Sequence, residues 1–159
     1  MYHYIRDYRN PDDYLGIQLS VSPKAFEEQL QALKSAGYYS ISLEAMATGR
    51  YSLPPDRTAN KPIILTFDDG YADHYLEALP ILQRYGFTGT FFIVKNFIGR
   101  PFYLTNDQLG QMSIAGMELG GHSLNHKNLA NLNYEAQIEE IADGQTDRGP
   151  IFAYPSGKY

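Results

Sequence analysis

Two adjacent carboxylates, Asp68 and Asp69, follow the apolar run Pro62-Ile63-Ile64-Leu65-Thr66-Phe67 and precede Gly70. Such a pair at the end of a buried strand is costly unless a cation or a proton shares the site. A divalent metal would remove that cost. In an extended segment neighbouring side chains diverge, so one Asp can hold metal while the other faces substrate or water as a general base. Taken alone, Asp-Asp-Gly is also the composition of a surface turn.

His122 and His126 stand four residues apart in Gly121-His122-Ser123-Leu124-Asn125-His126. That separation stacks side chains on one face of a helical turn, where two imidazoles form a metal clamp. Paired histidines also cap helices or fill polar niches. With one Asp they make three N/O ligands and leave a position open, as catalytic zinc sites require. The chain has no cysteine, so thiolate ligands, a thiol nucleophile and disulfides are excluded. A third stretch, Phe152-Ala153-Tyr154-Pro155-Ser156-Gly157, reads either as a simple turn or as a source of backbone N–H groups for an oxyanion.

These residues need a scaffold, and 159 residues fit one domain with one core. At 43% hydrophobic and 19% charged the composition is that of a soluble globule, and no run approaches the ~20 apolar residues of a spanning helix. A net charge of -5 lacks the positive field that nucleic acid demands. The start at Met1 is apolar and aromatic, like mid-domain sequence rather than a signal peptide.

No repeat or linker interrupts a series of alternating elements. Ser22, Pro23 and Gly37 bound a helix carrying Phe26, Leu30 and Leu33. Residues 38–43 read as a short strand, Leu53-Pro54-Pro55 as a loop, and 62–67 as a central parallel strand buried on both faces. A helix over about Tyr75–Tyr85, bent or restarted at Pro80, leads to a buried strand at Thr90–Val94. Thr105 and Gln108 form a capping box for a helix ended by Gly116. A strand at Met117–Gly120, a helix capped by Asn133 and carrying Ile138 and Ile141, and a strand at Ile151–Tyr154 complete the chain. This is an α/β fold whose reactive residues collect at strand C-termini. An eight-unit barrel takes about 250 residues, so a complete closed barrel is not expected.

Thr66-Phe67-Asp68-Asp69-Gly70, His122-Ser123-Leu124-Asn125-His126 and Phe152 to Gly157 resemble the first three motifs of the polysaccharide deacetylases, the carbohydrate esterase family with the NodB homology domain. Met1-Tyr2-His3-Tyr4-Ile5 and the Phe26 helix resemble the branch acting on exopolysaccharide poly-N-acetylglucosamine. The resemblance implies a distorted, incomplete (β/α) barrel with a mainly parallel sheet, formed by residues 1–159 as one such domain. It implies that Asp69, His122 and His126 hold a divalent metal, zinc first, with cobalt or nickel as alternatives. Asp68 would then be the general base, taking a proton from water as it attacks the acetamide carbonyl. A backbone N–H near Tyr154 to Ser156 would help to hold the oxyanion.

The family's third motif often carries Arg after the Phe, where this chain has Ala153, so tuning of the base must come from elsewhere. The Leu-x-His motif that supplies the general acid is expected beyond Tyr159, and the nine residues between Ile141 and Ile151 are fewer than the family's helix and loop need. The implied activity is removal of N-acetyl groups from a β-linked N-acetylglucosamine polysaccharide. Related members process O-acetyl xylan, peptidoglycan or chitin, and a non-catalytic sugar-binding domain is the reading from another class. The expected partner is an acetylated polysaccharide, and the expected location is extracytoplasmic.

His3 is placed either as a substrate contact facing the site or as a structural histidine. His74, on the helix after the Asp pair, is expected to face solvent. Tyr71, Tyr103 and Tyr154 are candidates for a sugar groove among aromatics that mostly build the core. Asp7, Asp12 and Asp13 are read either as acidic groups that attract a product carrying new amines or, more simply, as a solvated loop.

Overall fold

Strand and helix alternate in the computed structural model, which describes residues 1–51, 60–145 and 150–157. The chain begins with β1 (Tyr4–Ile5), α1 (Tyr14–Gln18), β2 (Ser20–Val21), α2 (Pro23–Ser35), β3 (Tyr38–Ser40) and α3 (Leu43–Thr48). Next come β4 (Lys61–Ile63), β5 (Thr66–Phe67) and a π-helical turn, His74–Ala78, that runs into α4 (Leu79–Tyr85). They are followed by β6 (Thr90–Ile93), α5 (Asn106–Ile114), β7 (Glu118–Gly121) and α6 (Tyr134–Ala142). Strands β5, β6 and β7 form one parallel sheet, and β1–β2 and β3–β4 are parallel pairs. A bridge between Tyr2 and Phe67 joins the N-terminal strand to the three-stranded sheet, and one between Gly121 and Phe152 extends its far edge. The result is an open, mainly parallel α/β arrangement.

Local chemistry sets most helix ends. The Ser22 side chain accepts the Ala25 N–H at 3.1 Å, Pro23 opens α2, and Gly37 follows it with φ 80°. Thr105 and Gln108 form the capping box of α5, and Asn133 caps α6 through the Ala136 N–H. Pro80 does not break its helix. It falls in the first turn of α4, where a missing N–H is harmless, and the π turn before it absorbs the change of pitch.

The apolar run at 62–67 is not one central strand. Lys61–Ile63 pairs with β3 while Thr66–Phe67 pairs with β6 in another sheet, because apolar composition reports burial and not which sheet does the burying. Expected strand 38–43 stops at Ser40, since Ser42 instead caps α3 by accepting the Ala45 N–H at 3.0 Å. The strand expected at 151–154 is reduced to the bridge at Phe152. The Leu53-Pro54-Pro55 loop lies outside the described residues.

Phe26, Phe67 and Phe91 are fully buried at the centre of the core. Phe67 stacks on Phe91 with ring centroids 4.5 Å apart and meets Phe26 edge-on at 5.8 Å. Burying each ring contributes about 1.5–3 kcal/mol, so the end of β5, next to Asp68, rests on a buried aromatic cluster. On the far edge, a Cβ at Gly120 would stand 2.7 Å from Ile151 Cγ1, and one at Gly121 would stand 2.7 Å from the Gly144 oxygen. Glycine therefore lets the third motif close against β7.

Candidate metal and catalytic site

Asp68 donates its N–H to the Tyr2 carbonyl at 3.0 Å, and Asp69 then turns the chain with φ 75°. A left-handed φ at a non-glycine residue costs about 1–2 kcal/mol. The turn sends the two carboxylates in different directions. Asp69 Oδ1 lies 3.1 Å from His126 Nε2 and 3.4 Å from His122 Nε2, whereas Asp68 Oδ2 faces His3 Nε2 at 4.0 Å. The divergence expected of an extended pair is produced here by a bend.

His122 and His126 do not sit on a helical turn. They occupy the loop after β7, where Ser123 (φ 66°) and His126 (φ 60°) are both left-handed and Ser123 Oγ accepts the His126 N–H at 2.8 Å. These two bends bring the imidazole centroids to 5.0 Å. His122 Nδ1 lies 2.9 Å from the Ala153 oxygen. A carbonyl only accepts, so Nδ1 carries the proton and Nε2 presents its lone pair toward Asp69.

Asp69 Oδ1 is buried and makes no hydrogen bond among the described residues, although both imidazoles are close. One ligand atom from each of Asp69, His122 and His126 lies within 4.8 Å of the others. An orphaned carboxylate oxygen facing two imidazole nitrogens, with no sulfur, fits a divalent cation of the zinc type. Burial opposes ionisation of Asp69, but the facing imidazoles outweigh it and hold its carboxyl well below the usual range. The same contact raises His126. Asp68 is pushed up by burial, with His122 and His3 working the other way.

These groups open into a cleft of about 780 Å³ whose wall includes His3, Asp68, Tyr71, His122, Tyr154 and Ser156. Among the groove candidates, Tyr71 and Tyr154 line the cleft, while Tyr103 stacks behind Tyr71 with centroids 5.1 Å apart. Asp13 is not a loosely solvated loop residue. It caps α1 by accepting the Gly16 N–H at 2.8 Å, accepts the Tyr8 hydroxyl at 2.9 Å, and reaches the cleft.

His74 does not face solvent. It is fully buried against Phe67 and Phe91, and its Nε2 donates to the His3 carbonyl at 2.6 Å, fixing the backbone of the residue that faces Asp68. Beside it, Asp73 Oδ2 accepts the Ile5 N–H at 3.2 Å. Burial lowers His74 to about 4 and raises Asp73 to about 6.

The two shifts act on stability in opposite directions. The neutral His74 contributes stability above its unfolded pKa of about 6.5, and this is lost as pH falls toward 4. Protonated Asp73 contributes stability at low pH that is lost as pH rises through 6. Asp73→Asn should therefore make the protein more acid-labile than wild type, by about 2 kcal/mol between roughly pH 7 and 4, read by urea unfolding. Superimposable pH profiles would count against the offset.

Two contributors carried no signal in the sequence. The Ala153 carbonyl acts through the main chain, and the Ser123 hydroxyl acts on its neighbour's backbone, so neither role depends on a diagnostic residue spacing.

Residues 56–159 match the model of the family described as polysaccharide deacetylase. The Bacillus subtilis protein YxkH, provisionally named a polysaccharide deacetylase, is 31% identical over 152 residues, covering 91% of this chain and 53% of YxkH. The poly-β-1,6-N-acetyl-D-glucosamine N-deacetylase of Escherichia coli K12 is 30% identical over 83 residues, covering 52% of this chain and 12% of that protein. The solved structure of the Streptococcus pyogenes deacetylase PplD in complex with acetate has a TM-score of 0.84 and 33% identity, covering 99% of this chain and 73% of PplD. The chain thus spans about half the length of YxkH, 53%, and a small part of the Escherichia coli protein, 12%.

Proposed function

The chain belongs to the polysaccharide deacetylase family, and from that premise we propose that it is a metal-dependent hydrolase that removes N-acetyl groups from a β-linked N-acetylglucosamine polysaccharide. The observation that carries this reading is the separation of two consecutive carboxylates, Asp69 turned to the imidazoles and Asp68 turned to the cleft. A purely structural metal site would need only the first of these groupings. Asp69, His122 and His126 would hold the metal, with zinc the best match to the donor set and cobalt or nickel as substitutes. When bound, the cation would polarise the acetamide carbonyl and activate water.

Asp68 takes the proton of the attacking water. Its burial raises its proton affinity, which suits a base more than an ordinary exposed carboxylate would, and supplies tuning that Ala153 cannot. His3 lies beside it at 4.0 Å and helps to orient it or the substrate. The oxyanion is met by a main-chain N–H of the third motif. A main-chain N–H near Tyr154 to Ser156, on the cleft wall that these two residues share with Asp68, is the donor proposed for that role. One such donor typically contributes about 3 kcal/mol to the transition state.

The N-acetylglucosamine polymer follows the printed substrate of the Escherichia coli relative, and acetate bound to PplD is the acid such a reaction would release. Such a polymer places the protein outside the cytoplasm, and no described helix is long and apolar enough to cross a membrane. The test is acetate release from β-1,6-linked N-acetylglucosamine oligomers, compared with peptidoglycan, chitin and O-acetyl xylan. Preference for the O-acetyl ester would move the assignment to an esterase. Metal uptake and oligomer binding without acetate release from any of them would make it a sugar-binding module.

A further inference from the structure

We infer that Glu140 is a positioning residue for the loop that carries the two histidines, an inference that rests on the metal-dependent reading above. The buried residue of α6 is Glu140, 1% exposed, whereas Ile138 on the same helix is 47% exposed. A carboxylate is not buried at a helix's expense unless its lone pairs are met. Here they are met by the histidine loop. Asn125 donates its N–H to Oε2 and its Nδ2 to Oε1, both at 2.8 Å, and Lys127 Nζ lies 3.1 Å from Oε1. The Glu140 carbonyl also accepts the Leu124 N–H at 3.0 Å. Residues 124, 125 and 127 are thus tied to one side chain and its backbone, with His126 between them.

The loop needs such a tie. Ser123 and His126 both hold left-handed φ values that L side chains disfavour, and a loop free to relax from them would separate the two Nε2 atoms. The opposite side is held as well. Lys95 and Asn96 donate their N–H groups to the Ser123 and Leu124 carbonyls at 3.2 and 3.0 Å, and Asn96 Nδ2 donates to Asn125 Oδ1 at 2.8 Å. Asn125 therefore spans from α6 to the turn after β6. The chain leaving α6 presses on the same loop, since a Cβ on Gly144 would stand 2.3 Å from the Ser123 carbonyl carbon and 2.4 Å from the Leu124 nitrogen. The geometry is that of a clamp whose jaw is Glu140 and whose load is the His122–His126 spacing.

The test is a Co(II) titration of the metal-free protein, with affinity read by chelator competition and coordination read from the visible absorption of the Co(II) complex. Glu140→Gln keeps the shape but cannot accept at both positions, and Asn125→Ala removes the partner at a half-buried position. Each should lower Co(II) affinity by about 10–100-fold and change the absorption spectrum. The double variant should lose less than the two single losses combined, because both single variants disrupt the Asn125 Nδ2–Glu140 Oε1 contact. A Glu140 that served stability alone would lower the thermal midpoint while affinity and spectrum stayed at wild-type values, and that result overturns the inference. Should Glu140→Gln not fold, Asn125→Ala decides by the same criteria. Wild-type protein that binds Co(II) no better than its variants removes the clamp alone, whereas wild-type protein that takes up no Co(II) removes the metal-dependent reading and the clamp with it.

Discussion

Asp69→Asn should yield a folded protein that neither retains metal nor releases acetate. Asp69 supplies the one carboxylate oxygen of the donor set, buried at 7% exposure and without a hydrogen bond among the described residues. Asn preserves the side-chain volume but removes the charge that offsets the cation. Losing a group that merely orients a ligand costs about 10–100-fold in metal affinity, so losing the ligand itself should cost more than about 100-fold. Chelator competition on wild type and variant measures this directly. Wild-type affinity should also rise with pH, because Asp69 favours a proton on His126 that the metal has to displace. Undiminished metal uptake by Asp69→Asn would take Asp69 out of the ligand set.

Asp68→Asn should do the opposite with metal and the same with turnover. Asp68 Oδ2 faces His3 and the cleft, and its partner in the nearest ion pair is not one of the histidines facing Asp69. Its amide replacement has almost the same shape and cannot take a proton. General-base groups contribute about 10²–10⁴-fold, so kcat should fall by that factor while metal content and KM change little. Steady-state acetate release with parallel metal analysis reads both. A kcat within a few-fold of wild type would assign the base elsewhere. The two adjacent residues thus separate metal retention from chemistry, a contrast that general unfolding could not produce.

The candidate site was legible where it depends on residue type. Each motif alone has an ordinary reading, a surface turn or a polar niche, but together they offer one carboxylate and two imidazoles, and the absence of cysteine narrows the donors to nitrogen and oxygen. The geometry behind the spacing was not legible. A four-residue interval suits a helical turn, yet the loop achieves the same approach with left-handed backbone at Ser123 and His126, which neither residue advertises. Helix ends at Ser22, Thr105 and Asn133 were readable because capping is local. The division of 62–67 between two sheets was not, because pairing partners lie far away in sequence. His74 was misplaced for a related reason. His74 opens the π turn and packs against Phe67 and Phe91, and its Nε2 partner, the His3 carbonyl, lies 71 residues away in the chain. Glu140 is a parallel case, since nothing in the sequence separates it from Glu135 and Glu139 on the same helix, and its partner loop lies 15 residues upstream.

One metal centre and one neighbouring carboxylate are proposed to cut an acetamide together. This joint action is tested most directly by measuring bound metal and acetate released from a β-1,6-linked N-acetylglucosamine oligomer in the same preparation of wild-type protein. About one zinc, cobalt or nickel ion per chain is expected from the single donor set among the described residues, with acetate appearing in step with new amines on the oligomer and lost on chelation. Metal-loaded protein that binds the oligomer and releases no acetate would be a sugar-binding module and not a deacetylase.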